Sequence, residues 1–323
     1  MKSGRRRVLK QLPILGLSPW VAACSPDPGF AVASHVWPGY ELMFVARQEG
    51  WLPDHGLLLH ETVSASESLA ALATGQVAGA ALTLDEVLLA RGQAIPLTVV
   101  LIFNISNGAD VVLGRAGMRS IADLRGARIG VETSALGALL LQEILARSGI
   151  LRSEVEIVPA TADQHDELWE SGGVAALITY EPMASRLENR GAVRLFDSRA
   201  MPDTIFDVLA VRPDLPDRHR DALRALLAAH FRALRHLRHS PLDAAYRMAG
   251  RLGLSGPEVL ETLRNLELPD LGHNRRYLGV ERERIEEAAR KLVRIMVDAS
   301  LLARPDDLAG LVDDRYLPAV VPA

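Results

Sequence analysis

Phe30-Ala31-Val32-Ala33-Ser34-His35-Val36-Trp37-Pro38-Gly39-Tyr40-Glu41 is an apolar run that breaks on an aromatic turn and hands over to Leu42, Val45 and Ala46, spaced for one helical face. The same order of strand, polar turn and helix returns further along. Residues 57–61 read as a strand, 66–74 as a helix closed by Gly75, 77–82 as a strand, 85–91 as a helix and 97–103 as a strand. Strands separated by helices predict a mainly parallel sheet.

A second α/β unit opens near Gly114, with strands over 128–131, 155–159, 175–179 and 192–196 and helices over 136–147, 163–170 and 182–189. The chain then returns through a strand at 204–211 and reads as wholly helical from Arg218. Such a return predicts one lobe built from residues 30–106 with 206–323 and another from 107–205; about 300 mature residues have room for two cores. In the helical third, Leu223, Leu226, Leu227, Phe231, Leu234 and Leu237 form one stripe. His230 falls on it and is expected to be a hydrogen-bonded core residue. Arg220, Arg224, Arg232, Arg235 and Arg238 read as a solvated face, and His236 and His239 as surface residues.

Residues 1–23 have the profile of an export signal: Lys2, Arg5-Arg6-Arg7 and Lys10, then an apolar run from Leu12 to Ala23 that is too short and too Pro-interrupted to span a bilayer. Val21-Ala22-Ala23-Cys24 resembles the lipobox of bacterial lipoproteins, which implies acylation of Cys24 and a short tether over 24–29. Gly4-Arg5-Arg6-Arg7-Val8-Leu9-Lys10 fits a twin-arginine export motif and a general basic leader equally well. The sequence leaves open whether the inner or the outer membrane holds the anchor. Cys24 is the only cysteine, so neither an intramolecular disulfide nor a thiolate metal cage can form. The formal charge is −4, and loss of the five basic residues in 1–23 makes it −9, which argues against a nucleic-acid partner.

The chain has no Gly-x-Ser-x-Gly elbow, no His-Glu-x-x-His, no phosphate loop and no Gly-x-Gly-x-x-Gly behind the first strand. What recurs is a polar residue directly after an apolar strand, where open α/β sheets place ligands. Those turns and their surroundings supply Trp37, Tyr40, Glu41, Thr83, Asp85, Asn104, Ser106, Asp110, Glu132, Ser134, Glu181 and Asp207 as candidate ligand-binding residues. Thr83, Asp85 and Ser134 also stand where helix N-caps are favoured.

With Trp37-x-Gly39-Tyr40-Glu41, Ala80-Ala81-Leu82-Thr83-Leu84-Asp85, Ser106-Asn107-Gly108-Ala109-Asp110 and Asp123-Leu124-Arg125-Gly126, the chain resembles the periplasmic solute-binding proteins of ABC importers of the nitrate, sulfonate, taurine and thiamin-pyrimidine-precursor type. The resemblance implies a type II periplasmic-binding-protein fold of α/β class: two Rossmann-like lobes, joined by two crossover strands near 103–110 and 204–208, close over a small solute. It also implies a monomer without cofactor or enzymatic activity, which delivers its solute to a permease and its ATPase. A ligand-sensing lipoprotein feeding a signalling partner remains as an alternative. A more remote one is an enzyme like the thiamin-pyrimidine synthases, whose cysteine-rich iron motif this chain lacks. Glu41, Asp85, Asp110, Glu132, Glu181 and Asp207 crowd the motifs while Lys and Arg are scarce there, so a cationic or amine-bearing ligand is favoured over an anion. An anion held by Ser134 and the helix N-terminus behind it is the competing expectation.

Overall fold

The computed structural model describes residues 29–53 and 56–321; residues 1–23, read above as an export signal, Cys24, and residues 25–28, read as part of a tether, lie outside the described residues. In chain order the elements are β1 (Phe30–Ser34), α1 (Glu41–Gln48), β2 (Leu57–Glu61), α2 (Ala65–Thr74), β3 (Gly79–Thr83), α3 (Leu84–Gly92), β4 (Thr98–Ser106) and β5 (Asp110–Gly114). They continue with β6 (Arg128–Val131), α4 (Ala135–Ser148), β7 (Glu156–Pro159), α5 (His165–Glu170), β8 (Ala176–Tyr180), α6 (Met183–Glu188), β9 (Val193–Asp197) and β10 (Phe206–Val211). The last are α7 (Asp217–His239), α8 (Pro241–Leu252), α9 (Gly256–Leu263), β11 (Leu266–Glu267), α10 (Leu271–Arg275) and α11 (Glu283–Asp298).

Two sheets form, one ordered β11-β4-β10-β3-β1-β2 and the other β7-β6-β8-β5-β9. Strands of the first come from residues 30–106 and 206–267, and those of the second from 110–197. The expected mainly parallel pairing holds only for β1 with β2 and β3, and for β6 with β7 and β8. β10 runs antiparallel to β3 and β4, and β5 antiparallel to β8 and β9. The reason is topological: β4, β5, β9 and β10 flank the two passages of the chain between lobes, and a strand that enters or leaves there does not follow a right-handed βαβ crossover. β5 and β11 were not expected; β5 follows β4 after a three-residue turn, which periodicity merges with the preceding apolar run.

Helix starts facing the cleft are set by local chemistry. Ser134 caps α4, its Oγ accepting from Gly137 N at 3.1 Å, and Gly149 ends that helix at φ +65°. Gly39 is required because a Cβ there would run into the Asn104 side chain. The buried faces of α3, α4 and α11 meet in one apolar cluster that includes Leu88, Leu140, Leu292 and Met296, so the last helix packs against both lobes. His230 is fully buried in the α7 stripe between Phe103 and Phe231, each ring 5.2 Å away, but neither of its nitrogens has a hydrogen-bond partner among the described residues. The expected hydrogen bond is therefore missing, because apolar side chains surround the imidazole; burial pushes its pKa down to about 3.

Candidate functional site

Between the two sheets lies a cavity of about 220 Å³. From the first lobe it is walled by the β1–α1 turn at Trp37, the start of α2, the β3–α3 junction at Thr83, Asp85 and Glu86, and Asp207 on β10. The second lobe contributes Asp110 from the first residue of β5, Glu132 and Ser134 from the β6–α4 turn, Asp163, and Tyr180 from the end of β8. Trp37, Thr83, Asp85, Asp110, Glu132, Ser134 and Asp207 are thus brought together as the sequence suggested.

Tyr40 and Asn104 sit one layer behind. Trp37 Nε1 donates to Asn104 Oδ1 at 3.0 Å, Asn104 Nδ2 donates to Asp207 Oδ2 at 2.7 Å, and Tyr40 OH donates to Asp207 Oδ1 at 2.9 Å. This buried chain fixes the indole and leaves Asp207 with both oxygens already accepting. Trp37 then meets Tyr180 of the opposite lobe edge-on, with ring centroids 5.8 Å apart.

Three expected residues are turned away from the cavity. Glu41 is fully buried but accepts two bonds from Arg251 Nε, at 3.1 and 3.0 Å, under α8. As the first residue of α1 it points down the helix flank, where Arg251 stacks 3.5 Å over the Phe44 ring. Ser106 bonds Ser198 at 2.7 Å, tying together the two interlobe passages. Glu181 accepts from Ser185 N and Oγ at 3.1 and 3.0 Å and from Asn265 Nδ2 at 3.1 Å, so it caps α6 and crosslinks the lobes.

The cavity wall carries six carboxylates, Asp85, Glu86, Asp110, Glu132, Asp163 and Asp207, and among the described residues no Lys or Arg lines it. Burial, reinforced by Asp85 and Glu181, raises Asp110 to about 7. Burial, with Asp110 second, pushes Asp207 well above the usual carboxylate range, and burial with Asp85 does the same to Glu86. Asp85 and Glu132 are raised chiefly by burial as well. His35 supplies no compensating charge, because burial lowers it to about 4. Asp110 Oδ2, Thr83 Oγ1 and His35 Nδ1 are buried without a partner among the described residues. These are groups a bound molecule can satisfy.

Asp85 has a second role. Its Oδ2 crosses the cleft to accept from Leu136 N, in the first turn of α4, at 3.0 Å. The helix N-terminus that could have held an anion is thereby engaged by a carboxylate of the other lobe. A recess of about 10 Å³, roughly the room of one water, continues inward past Tyr180 to His165, whose Nδ1 pairs with Thr179 Oγ1 at 3.0 Å. Among the described residues, no group of three or more His, Cys, Asp or Glu could hold a metal ion.

Sequence reasoning did not single out Glu86, Asp163, Tyr180 or His35. Glu86 stands three residues after Thr83 and takes its backbone N–H at 2.8 Å, so its pattern reads as a capping box. Tyr180 was legible only as part of the Thr179-Tyr180-Glu181-Pro182 turn.

Solved structures share this architecture. The periplasmic aliphatic sulphonate binding protein SsuA from Escherichia coli aligns with a TM-score of 0.74 at 17% identity, over 88% of this chain and 98% of its own. The alkanesulfonate-binding protein SsuA from Xanthomonas axonopodis pv. citri, bound to MOPS, gives 0.70 at 17% identity, over 86% and 95%. The desulfurization enzyme DszB gives 0.67 at 18% identity, over 89% and 97%, so the fold also hosts catalysis. No curated protein matches at the level of sequence. The family model described as NMT1/THI5 like matches residues 37–244, more than half of the chain and most of both lobes; the chain belongs to that family.

Proposed function

We propose that the chain is a solute receptor that captures a small organic cation, a protonated amine or amidine, between its lobes and delivers it to an ABC permease and its ATPase. The observation that carries this reading is the cavity wall, on which six carboxylates face one another with no basic side chain among the described lining residues. Burial raises these carboxyls by penalising their charged form, and a bound cation stabilises that form where a sulfonate or nitrate would oppose it. The acids surround the cavity without converging as metal ligands do, which suits an extended organic cation. A volume of about 220 Å³ falls below the ~300–1,000 Å³ usual for drug-sized ligands, so the solute is small.

The wall supports binding more than catalysis. Ser134 Oγ is occupied as a helix cap, and the His165–Thr179 pair lies in the inner recess, away from the main cavity. On the sequence side, Cys24 and the segment before it support export and a lipid anchor at a membrane surface. Mass spectrometry of the mature protein tests that part: an acylated Cys24 as first residue is expected, and an intact, unacylated residue 24 contradicts it.

A thermal-shift screen of amines, amidines, pyrimidines, nitrate and alkanesulfonates tests the ligand class, because a ligand that binds only the folded state raises its stability by mass action. Protonated amines or amidines are expected to raise the melting temperature. A shift confined to the anions contradicts the cationic reading.

A further inference from the structure

One carboxylate of the cavity wall lies between two helix starts. Asp85 is the second residue of α3, and its Oδ2 also reaches across the cleft to the N–H of Leu136, the second residue of α4, at 3.0 Å. Free N–H groups and the helix dipole make such a start attractive to negative charge. Here both starts meet at one side chain.

α4 has no such side chain of its own. Every other described helix of eight or more residues carries an acidic residue in its first turn, whereas α4, with 14 residues, carries none. Its first-turn N–H groups are divided between the lobes: Gly137 N is taken by the cap Ser134 at 3.1 Å, and Leu136 N by Asp85. Burial raises the Asp85 carboxyl, and the N–H of Leu136 is among the groups that pull it back. Its charge in turn helps to raise Glu86, Asp110 and Glu132.

We infer that Asp85 sets the sign of the solute: its carboxylate fills the start of α4 from the opposite lobe, as an oxyanion would, and so denies that place to a sulfonate, sulfate or nitrate. This rests on the reading of a cationic solute and adds the residue behind it. A cation meets no such rival, because Asp85 can keep its bond to Leu136 while Asp110 Oδ2, buried without a partner among the described residues, accepts from the solute. Occupancy and charge are separable here. Asp85→Asn can still accept from Leu136 N through its amide oxygen, and Asp85→Ala cannot.

The test is calorimetric titration of sulfate and methanesulfonate into the full chain, Asp85→Asn and Asp85→Ala, with the Leu136 amide followed by NMR. Asp85→Ala is expected to bind both anions at least about tenfold more tightly than the parent or Asp85→Asn, the low end for a hydrogen bond to a charged group, and to show a shift of the Leu136 amide. If circular dichroism shows Asp85→Ala unfolded, Asp85→Ser, whose hydroxyl sits one bond closer to the backbone than the carboxylate oxygens, takes its place. No gain in the folded variant, or an equal gain in Asp85→Asn, overturns the role given to Asp85; propylammonium binding by the parent then leaves the cationic reading standing. A parent that binds methanesulfonate and not propylammonium overturns both.

Discussion

Two buried acidic sites differ in one respect, the presence of a base. Under α8, Glu41 is fully buried, yet Arg251 comes from far along the chain to meet it, bonding Glu41 and Glu61 and stacking on Phe44. Arg251 covers Glu41 so fully that the pair behaves as an internal fixture. Between the lobes, Asp85, Asp110 and Asp207 are equally buried and no Lys or Arg among the described lining residues reaches them. A fold that pairs its structural carboxylate so carefully leaves Asp110 Oδ2 without a partner among the described residues, open to a molecule that brings its own positive charge.

Removing a partner should separate the two sites most sharply. Arg251→Ala strands Glu41 in the core and removes the nearer of the two guanidinium groups over Phe44, and it should cost about 3 kcal/mol in denaturant unfolding while leaving amine affinity unchanged. In the cleft the signs reverse. Asp110→Asn removes a carboxyl whose ionisation burial opposes, so stability should hold or rise, while amine affinity falls by about a hundredfold, the loss expected for a hydrogen bond to a charged group. Equal destabilisation by both substitutions, with no effect of Asp110→Asn on binding, would erase the distinction.

Acidity gives the next effect. The raised Asp110 carboxyl, at about 7, must release its proton to meet a cation. Affinity should therefore drop by up to about tenfold per pH unit below about 7 and level off above it, measured as Kd over a pH series. Without ligand the linkage has the opposite sense: the folded state holds this proton between roughly pH 4 and 7, where the unfolded chain has given it up, so stability falls as pH rises through that window. Glu41, also raised to about 7 by burial against the pull of Arg251, adds to the same trend. The smallest effect belongs to His230, a buried polar group without a hydrogen-bond partner among the described residues. His230→Leu should stabilise the chain by about 1 kcal/mol without touching affinity.

The sequence makes the alternation of strand, polar turn and helix readable, and with it both lobes, because periodicity and caps are local properties. Trp37, Thr83, Asp110 and Ser134 could be found for the same reason: each sits at a fixed place in its turn. Glu41, Ser106 and Glu181 sit at equally suitable places, but their partners, Arg251, Ser198 and Asn265, come from distant segments that no local pattern connects to them. The antiparallel course of β5 and β10 was hidden likewise, since apolar alternation records burial and not direction.

The most direct test counts protons. Titrating propylammonium into the protein near pH 7 in two buffers of different ionisation enthalpy gives both an affinity and the protons exchanged. If the cleft holds a cation, binding should be accompanied by net proton release from its carboxyls, and that release should shrink in Asp110→Asn. Tight binding of an alkanesulfonate with proton uptake, and none of the amine, would contradict the assignment of the acidic cleft to a cationic solute.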